Sequence, residues 1–392
     1  MIRLSESKFC SEHLIAHSFF LRKRLFLYSV ILFVFSSCSE SFKKVRSDTE
    51  LELNFTEVCI PIKYSQNSLY IQAISKFTDS ATLFYGYNKY NHKFDVFNLS
   101  KRSFLKEIQL EFDGPNGIPY FSSFDVRDNG DIILGDFKSF SKLKHDKVEM
   151  LRFSSEKSDL FTFKNGFDFD NYLLDPGGKD KIPVDSIGNF YLGVFPISKM
   201  RYYEIIKFNF ENKTIEKLDY QFPEIFEDKF YGDNMTPNVT LLNNSLYINY
   251  GFSSNVFRYD LEKKTLEQYN LKSAFTENMS GSITQEDFRD PALRAAHDKE
   301  ITFFGLKHDP HRNFFYRVHL ASRETLKDKP VFYFMVFDME LNTLKEIKLP
   351  KGLKPYFEIG KEGVFFPKQT ESESKLCFEL LLLETSSITN KN

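Results

Sequence analysis

The chain reads as an all-β protein, a β-propeller of about six four-stranded blades, with seven as the alternative. Three observations predict it. Two short patterns recur along the chain, the segments between them are rich in aromatic and β-branched residues, and helical periodicity is nearly absent. The first pattern is Asn or Asp, an apolar residue, Ser or Glu, two variable residues, Ser or Thr, and an apolar residue. It occurs as NLSKRSF from Asn98, NFENKTI from Asn209, DLEKKTL from Asp260 and DMELNTL from Asp338, with SSEKSDL from Ser154 as a degenerate copy. Strand-like segments flank each copy, as Tyr333 to Phe337 and Glu346 to Leu349 do the last. Its polar middle favours a turn, so each copy is a hairpin. The copies at Asn98, Ser154, Asn209 and Asp260 are 56, 55 and 51 residues apart, close to one four-stranded blade per repeat.

The elements follow in order from the N-terminus. Arg22-Lys23-Arg24, the apolar run Leu25 to Phe35 and Ser36-Ser37-Cys38 have the layout of a secretory signal. The run of eleven residues is too short for a lasting membrane span. A cysteine at the cleavage point looks like a bacterial lipoprotein signal, in which Cys38 becomes the lipidated first residue. Residues 1–37 are then the leader, with 1–21 an over-extended start. Residues 38–49 are polar and read as a tether, and residues 50–392 as the propeller.

The second pattern is a turn with Gly, Asn or Ser followed by two or three apolar residues. It occurs at Asp79, Asp128, Asp185, Asn243, Asp309 and Gly360, and six copies predict six blades. The last blade lacks strands after Gly360. Leu376 to Glu384 supplies one, and Leu53 to Lys63 can complete the blade from the other terminus. Seven blades result if Leu51 to Ser75 forms its own. Closure of the ring would bring Cys59 and Cys377 into neighbouring strands, the physical case for a disulfide; two buried thiols are the plainer reading, since sequence alone fixes no pairing. The step from Asp260 to Asp338 is 78 residues and holds an insertion near 271–299, with a helix start at Thr284 to Asp287 and helical propensity over Pro291 to His297.

Composition narrows function by exclusion. There are 52 basic and 54 acidic residues, which argues against a nucleic-acid partner. The 45 Phe and 20 Tyr fit strands. The chain has no GxSxG elbow and no HExxH. FDGPNGI, from Phe112 to Ile118, lacks the ending of a phosphate-binding loop and reads as an inter-strand loop, and Asp175 to Gly178 reads as a turn.

The leader, the repeated hairpins, FDGPNGI and DPHRNFFYR (Asp309 to Arg317) together resemble an uncharacterised family of Bacteroidota lipoproteins, a domain of unknown function related in appearance to six-bladed propeller lipoproteins. The resemblance implies a propeller in the cell envelope, lipid-anchored at the outer membrane, and carries over no reaction. The candidate ligand-binding residues are Asp309, His311, Arg312, Tyr316 and Arg317, where two arginines can grip a carboxylate or phosphate. The bland alternative for this segment is a hairpin tip held by Asp309 and Pro310, with arginines packed on aromatics. His308 and His311 would need His297 or His319 to complete a metal site, and no metal or other cofactor is assigned. The expected function is a membrane-anchored binding module for a protein, peptide or glycan, in preference to an enzyme. The alternative is an envelope hydrolase or lyase whose catalytic residues come from several blades and leave no motif.

Overall fold

A computed structural model of the chain describes residues 50–62, 70, 73–78, 81–114, 117–118, 121–127, 129–136, 139–144, 147–152, 162–164, 172–175, 182–196, 204–209, 211–226, 229–368 and 374–386. The leader, Cys38, the tether, the turns at Asp79 and Asp128, the degenerate copy at Ser154 and residues 176–178 lie outside the described residues.

Six small sheets form the blades of a propeller. Blade 1 is Ala73–Phe77, Thr82–Asn88, Lys93–Asn98 and Ser103–Gln109; blade 2 is Ser123–Val126, Ile132–Asp136, Ser139–Lys144 and Lys147–Arg152. Blade 3 is Tyr172–Asp175, Asn189–Pro196, Glu204–Asn209 and Thr214–Lys217, with Thr162–Lys164 added outside in parallel. Blade 4 is Pro237–Leu242, Ser245–Tyr250, Asn255–Asp260 and Leu266–Asn270. In blade 5 the innermost position is shared by Thr302–Phe303 and Lys307–Asp309, followed by Phe314–Leu320, Phe332–Phe337 and Thr343–Lys348. Blade 6 joins Glu358–Ile359, Val364–Lys368 and Lys375–Ser386 to Glu50–Pro61 from the other terminus. This settles the count at six: Leu51 to Pro61 is the outermost strand of blade 6, and Ala73 to Phe77 the innermost of blade 1, so no seventh blade forms between them.

The middle strands are apolar on both faces because each blade is packed on two sides. Side chains alternate across a strand. Phe84 accordingly packs towards blade 6, with Phe365 and Phe378, while Tyr85 and Tyr87 pack towards blade 2, with Phe124 and Ile132. Similar cores join blades 3 and 4, 4 and 5, and 5 and 6. The phenylalanines fill these wedges, and each one buried stabilises by about 2 kcal/mol.

Both repeated patterns are hairpin turns, and both fall at the same end of the ring. In a four-stranded meander the first and third turns share one end, while the second turn and the link to the next blade share the other. In the first pattern the leading Asn or Asp caps its turn. Asn98 Oδ1 accepts from Lys101 N at 2.8 Å, and Asn209 Oδ1 from Asn212 N at 2.8 Å. Asp260 Oδ1 accepts from Lys263 N at 2.8 Å, and Asp338 Oδ1 from Asn342 N at 2.7 Å. A left-handed residue completes each turn: Arg102 (φ 51°), Lys213 (φ 49°), Lys264 (φ 56°) and Leu341 (φ 63°). The recurrence therefore records a backbone requirement of the turn.

The insertion lies at the opposite end. Thr284 Oγ1 caps a short 3₁₀ turn, Asp287–Arg289, by accepting from Asp287 N at 2.9 Å. Helix α1, Pro291–His297, follows with Pro291 in its first turn and with Asp290 accepting from Ala292 N and Leu293 N. No helix among the described residues is long and apolar enough to cross a membrane.

Candidate functional site

Asp309, Arg312 and Tyr316 come together at the first hairpin of blade 5, buried rather than open. Asp309 is fully buried. Its Oδ1 accepts from His311 N at 2.8 Å and Arg312 N at 3.2 Å. Its Oδ2 accepts from Arg312 Nη1 at 2.7 Å and from the Tyr316 hydroxyl at 2.7 Å. Burial, followed by the Asp309 carboxylate, pushes the Tyr316 phenol far above its ordinary range. Arg312 reaches on to blade 6, donating to Gly360 O at 3.1 Å and Lys361 O at 2.7 Å. This guanidinium ties two blades together.

Arg317 lies elsewhere. It is fully buried, stacks 4.8 Å over Phe303, and donates to Ser254 O at 2.9 Å and Leu271 O at 3.1 Å. It thereby fastens the blade 4 loop and the start of the insertion to blade 5. Burial lowers it to about 9, against the pull of Glu346. The two arginines therefore serve different contacts, and the geometry gives each a structural partner set. His311 stands at the hairpin tip, lowered by burial with Asp309 opposing. Among the described residues the group of three metal-capable side chains is Glu57, Cys59 and Cys377, and the two sulfurs are bonded to each other.

His319 neighbours Arg317 and is fully buried. Glu346 Oε1 lies 3.1 Å from its Nε2, yet out of line for a hydrogen bond. That carboxylate is already engaged by Ser273 Oγ at 2.6 Å and Ala274 N at 2.8 Å. Burial, reinforced by Arg317, holds the imidazole neutral and its pKa down to about 3, from 6.5. The unfolded chain thus binds the proton more readily. Stability is full above the unfolded value and falls as pH drops towards the folded one. Between about pH 7 and pH 5 the wild type is expected to lose about 2 kcal/mol through this group. Urea midpoints at both pH values in wild type and His319→Leu check it: equal pH dependence in the two would refute the assignment.

Two adjoining cavities remain as candidates at the turn end, and local motifs pointed to neither. The first is the central channel, about 300 Å³, lined by the innermost segments of all six blades. Ser75 and Lys76, Asp125, Thr240, Lys307 and His308, and Glu358 supply the polar wall, and blade 3 contributes the apolar Ile182, Pro183 and Val184. Glu358 closes the ring at this point. Its Oε2 accepts from Ser75 N at 2.6 Å and its Oε1 lies 3.6 Å from Lys307 Nζ. Lys307 also donates to Phe357 O at 3.0 Å. Thr240 Oγ1 donates to Leu306 O, joining blades 4 and 5. His308 is lowered by burial, with Asp309 opposing, and its Nε2 has no hydrogen-bond partner among the described residues.

The second cavity is a cleft of about 550 Å³ between blades 2 and 3. It shares Lys76, Asp125 and Val184 with the channel and adds Arg127, Asn129, Asp131, Lys142, Asp185 and Ser186. Its walls combine the first turns of the two blades with strand residues such as Asp125, Ile133 and Lys142. Asp185 holds one of the turns, accepting from Ile187 N at 3.0 Å, Asn189 N at 2.8 Å and the Tyr191 hydroxyl at 3.0 Å. Gly188 completes that turn at φ 84°. A third cavity, about 460 Å³, lies under the insertion at the other end and is lined by Phe230, Ile283, Leu293, His297 and Glu300, among others.

FDGPNGI links blade 1 to blade 2. Ile118 N donates to Glu111 O at 2.7 Å, and Phe112 stacks on His92 at 3.8 Å. Pro115 and Asn116 lie outside the described residues.

Residues 41–348 match the family described as Domain of unknown function (DUF4221). No curated protein matches the chain. Among solved structures it is similar to a member of the DUF4221 family from Bacteroides vulgatus ATCC 8482. That likeness has 14% identity and a TM-score of 0.68, and covers 86% of this chain and 99% of the other. It is also similar to a Bacteroides fragilis NCTC 9343 protein provisionally named an exported protein, at 12% identity and a TM-score of 0.53, covering 86% of this chain and 96% of that one.

Proposed function

The chain belongs to the DUF4221 family, and from that premise we propose that it is an exported, lipid-anchored propeller that binds a polar ligand at its turn end. One observation carries the reading: the channel and the cleft adjoin, with polar groups from every blade around a continuous hollow. Their volumes fall in the range of small-molecule and oligomer sites. The partner is a peptide, a glycan or the exposed loop of an envelope protein. Of the two channel carboxylates, Asp125 and Glu358, the second is taken up by Ser75 N and Lys307, which favours holding over hydrolysis.

Three features support the location. The basic cluster, short apolar run and Cys38 have the layout of a lipoprotein leader. The Cys59–Cys377 disulfide suits an oxidising compartment. A similar protein carries the provisional name of an exported protein. Diacyl or triacyl modification of Cys38 gives firm attachment, where a single chain binds marginally. Ser39 after the cysteine favours the outer membrane.

The test is purification of the full-length protein from its own envelope after crosslinking, with mass spectrometry of whatever stays bound. Ser186→Trp places an indole from an exposed turn position into the cleft. Wild type should retain a ligand, Ser186→Trp should retain about tenfold less, and Cys38→Ala should leave the membrane fraction. A wild-type chain with nothing bound defeats the binding reading, equal retention by Ser186→Trp defeats the cleft, and membrane retention of Cys38→Ala defeats the anchor.

A further inference from the structure

We propose that the cleft between blades 2 and 3 takes an acidic saccharide, a hydroxyl-rich ligand with a single carboxylate, and that Arg127 is its anchor. The inference rests on the binding reading and names its ligand class.

Arg127 opens the first turn of blade 2. Its N donates to Asp131 O at 2.8 Å and its O accepts from Gly130 N at 2.9 Å, which fixes the backbone under the side chain. The guanidinium stands 5.5 Å over the ring of Phe190. Phe190 is itself buried and packed against Phe208 at 6.0 Å. The stack therefore holds the guanidinium against a firm backing. Its Nη1 is buried and has no hydrogen-bond partner among the described residues. Buried guanidinium nitrogens are ordinarily bonded, so this one is an unmet donor, and the half-buried side chain that carries it lines the cleft. A carboxylate offers two oxygens in the spacing of the guanidinium fork.

The neighbours explain why the acceptor is not already present. Lys142 Nζ pairs with Asp131 at 3.5 Å, and Asn129 Nδ2 donates to the same carboxylate at 2.9 Å. Asp185 is filled by its own turn, by Asn189 Nδ2 at 2.7 Å and by Tyr191. Each of these carboxylates is committed away from Arg127.

The same wall selects the class. Asp125, Asp131, Asp185 and Glu211 line the cleft against Lys76, Arg127 and Lys142. A phosphate ester or polyanion would bring several negative charges to a wall with more acids than bases. One carboxylate needs one guanidinium. The sugar hydroxyls can then donate to the acidic wall and to Asn129 and Ser186.

The experiment is titration calorimetry on the full lipidated protein in detergent. The probes are a glucuronate-containing oligosaccharide, the same oligosaccharide with its carboxyl reduced to the alcohol, and inorganic phosphate. The acidic form should bind about tenfold or more tighter than the reduced form, and Arg127→Gln should remove that difference. Arg127→Lys keeps charge and stacking but loses the fork, so an intermediate loss is expected. It also serves as the informative variant if Arg127→Gln melts early. Equal binding of the acidic and reduced forms, full binding by Arg127→Gln, phosphate competing as well as the uronate, or no binding of any probe each overturns the proposal. The envelope purification is read independently: a bound peptide or neutral glycan there keeps the binding reading while this inference falls.

Discussion

Asp309→Ala is expected to cost about 4 kcal/mol of unfolding free energy. The carboxylate is wholly buried and accepts four hydrogen bonds, from two backbone amides, the Arg312 guanidinium and the Tyr316 hydroxyl. Its removal leaves a cation, 16% exposed in its side chain, without its counter-charge, and a buried phenol without its acceptor. Uncompensated groups of this kind are costly because desolvation is no longer offset. The effect should reach beyond one hairpin, because the same guanidinium holds Gly360 O and Lys361 O of blade 6. Urea unfolding of Asp309→Ala, Arg312→Ala and the double variant forms the test. The double variant should cost clearly less than the sum of the singles, since each removes the other's unpaired charge. Additive losses, or a loss under about 1 kcal/mol for Asp309→Ala, would show that the pair contributes no more than a surface turn.

Cys59→Ser with Cys377→Ser is expected to lower stability by about 4 kcal/mol, and the melting temperature by roughly 10 °C. The two cysteines face each other as direct register partners in the outermost pair of blade 6, and 318 residues separate them in sequence. In the chain-entropy account a cross-link over so long a loop removes many conformations from the unfolded chain. The native contacts around it are otherwise ordinary: Lys368 bridges Glu57 and Glu379 beside it, an exposed cluster of small worth. Thermal melts with and without reductant, on wild type and double variant, decide the matter. A wild-type melt unaffected by full reduction would mean that the ladder of hydrogen bonds alone closes the ring.

The blades were legible because their turns repeat. Asn98, Asn209, Asp260 and Asp338 each satisfy the same local amides, so the physics leaves a mark within a few residues. The closing strand was legible because blade 6 runs short after Gly360. The split inner position of blade 5 and the parallel strand Thr162–Lys164 left no mark, since pairing partners distant in sequence decide them. The cavities were hidden for the same reason. Each blade contributes one to four residues to the channel, such as Asp125 or Glu358, and nothing local distinguishes them. A polar residue shortly before the first turn, in every blade but the third, was the available signal. DPHRNFFYR stood out because it is dense in charge, and in the structure that charge is directed inward: Asp309 and Arg312 answer each other, and Arg317 answers backbone carbonyls.

The pairing of the first strand with the last also sets an order of events. Glu50–Pro61 leaves the ribosome before any other part of the propeller, and its partner, Lys375–Ser386, leaves after every other strand. For the whole of synthesis the first strand has no edge to join, and its apolar residues Leu51, Val58 and Ile60 have no core to enter. Blades 1 to 5 can each form from contiguous chain, while the sixth waits on the most distant contact in the molecule. Folding is therefore timed by its final step. The waiting strand is the part of the nascent chain most open to mispairing with other chains or to capture by a holding chaperone.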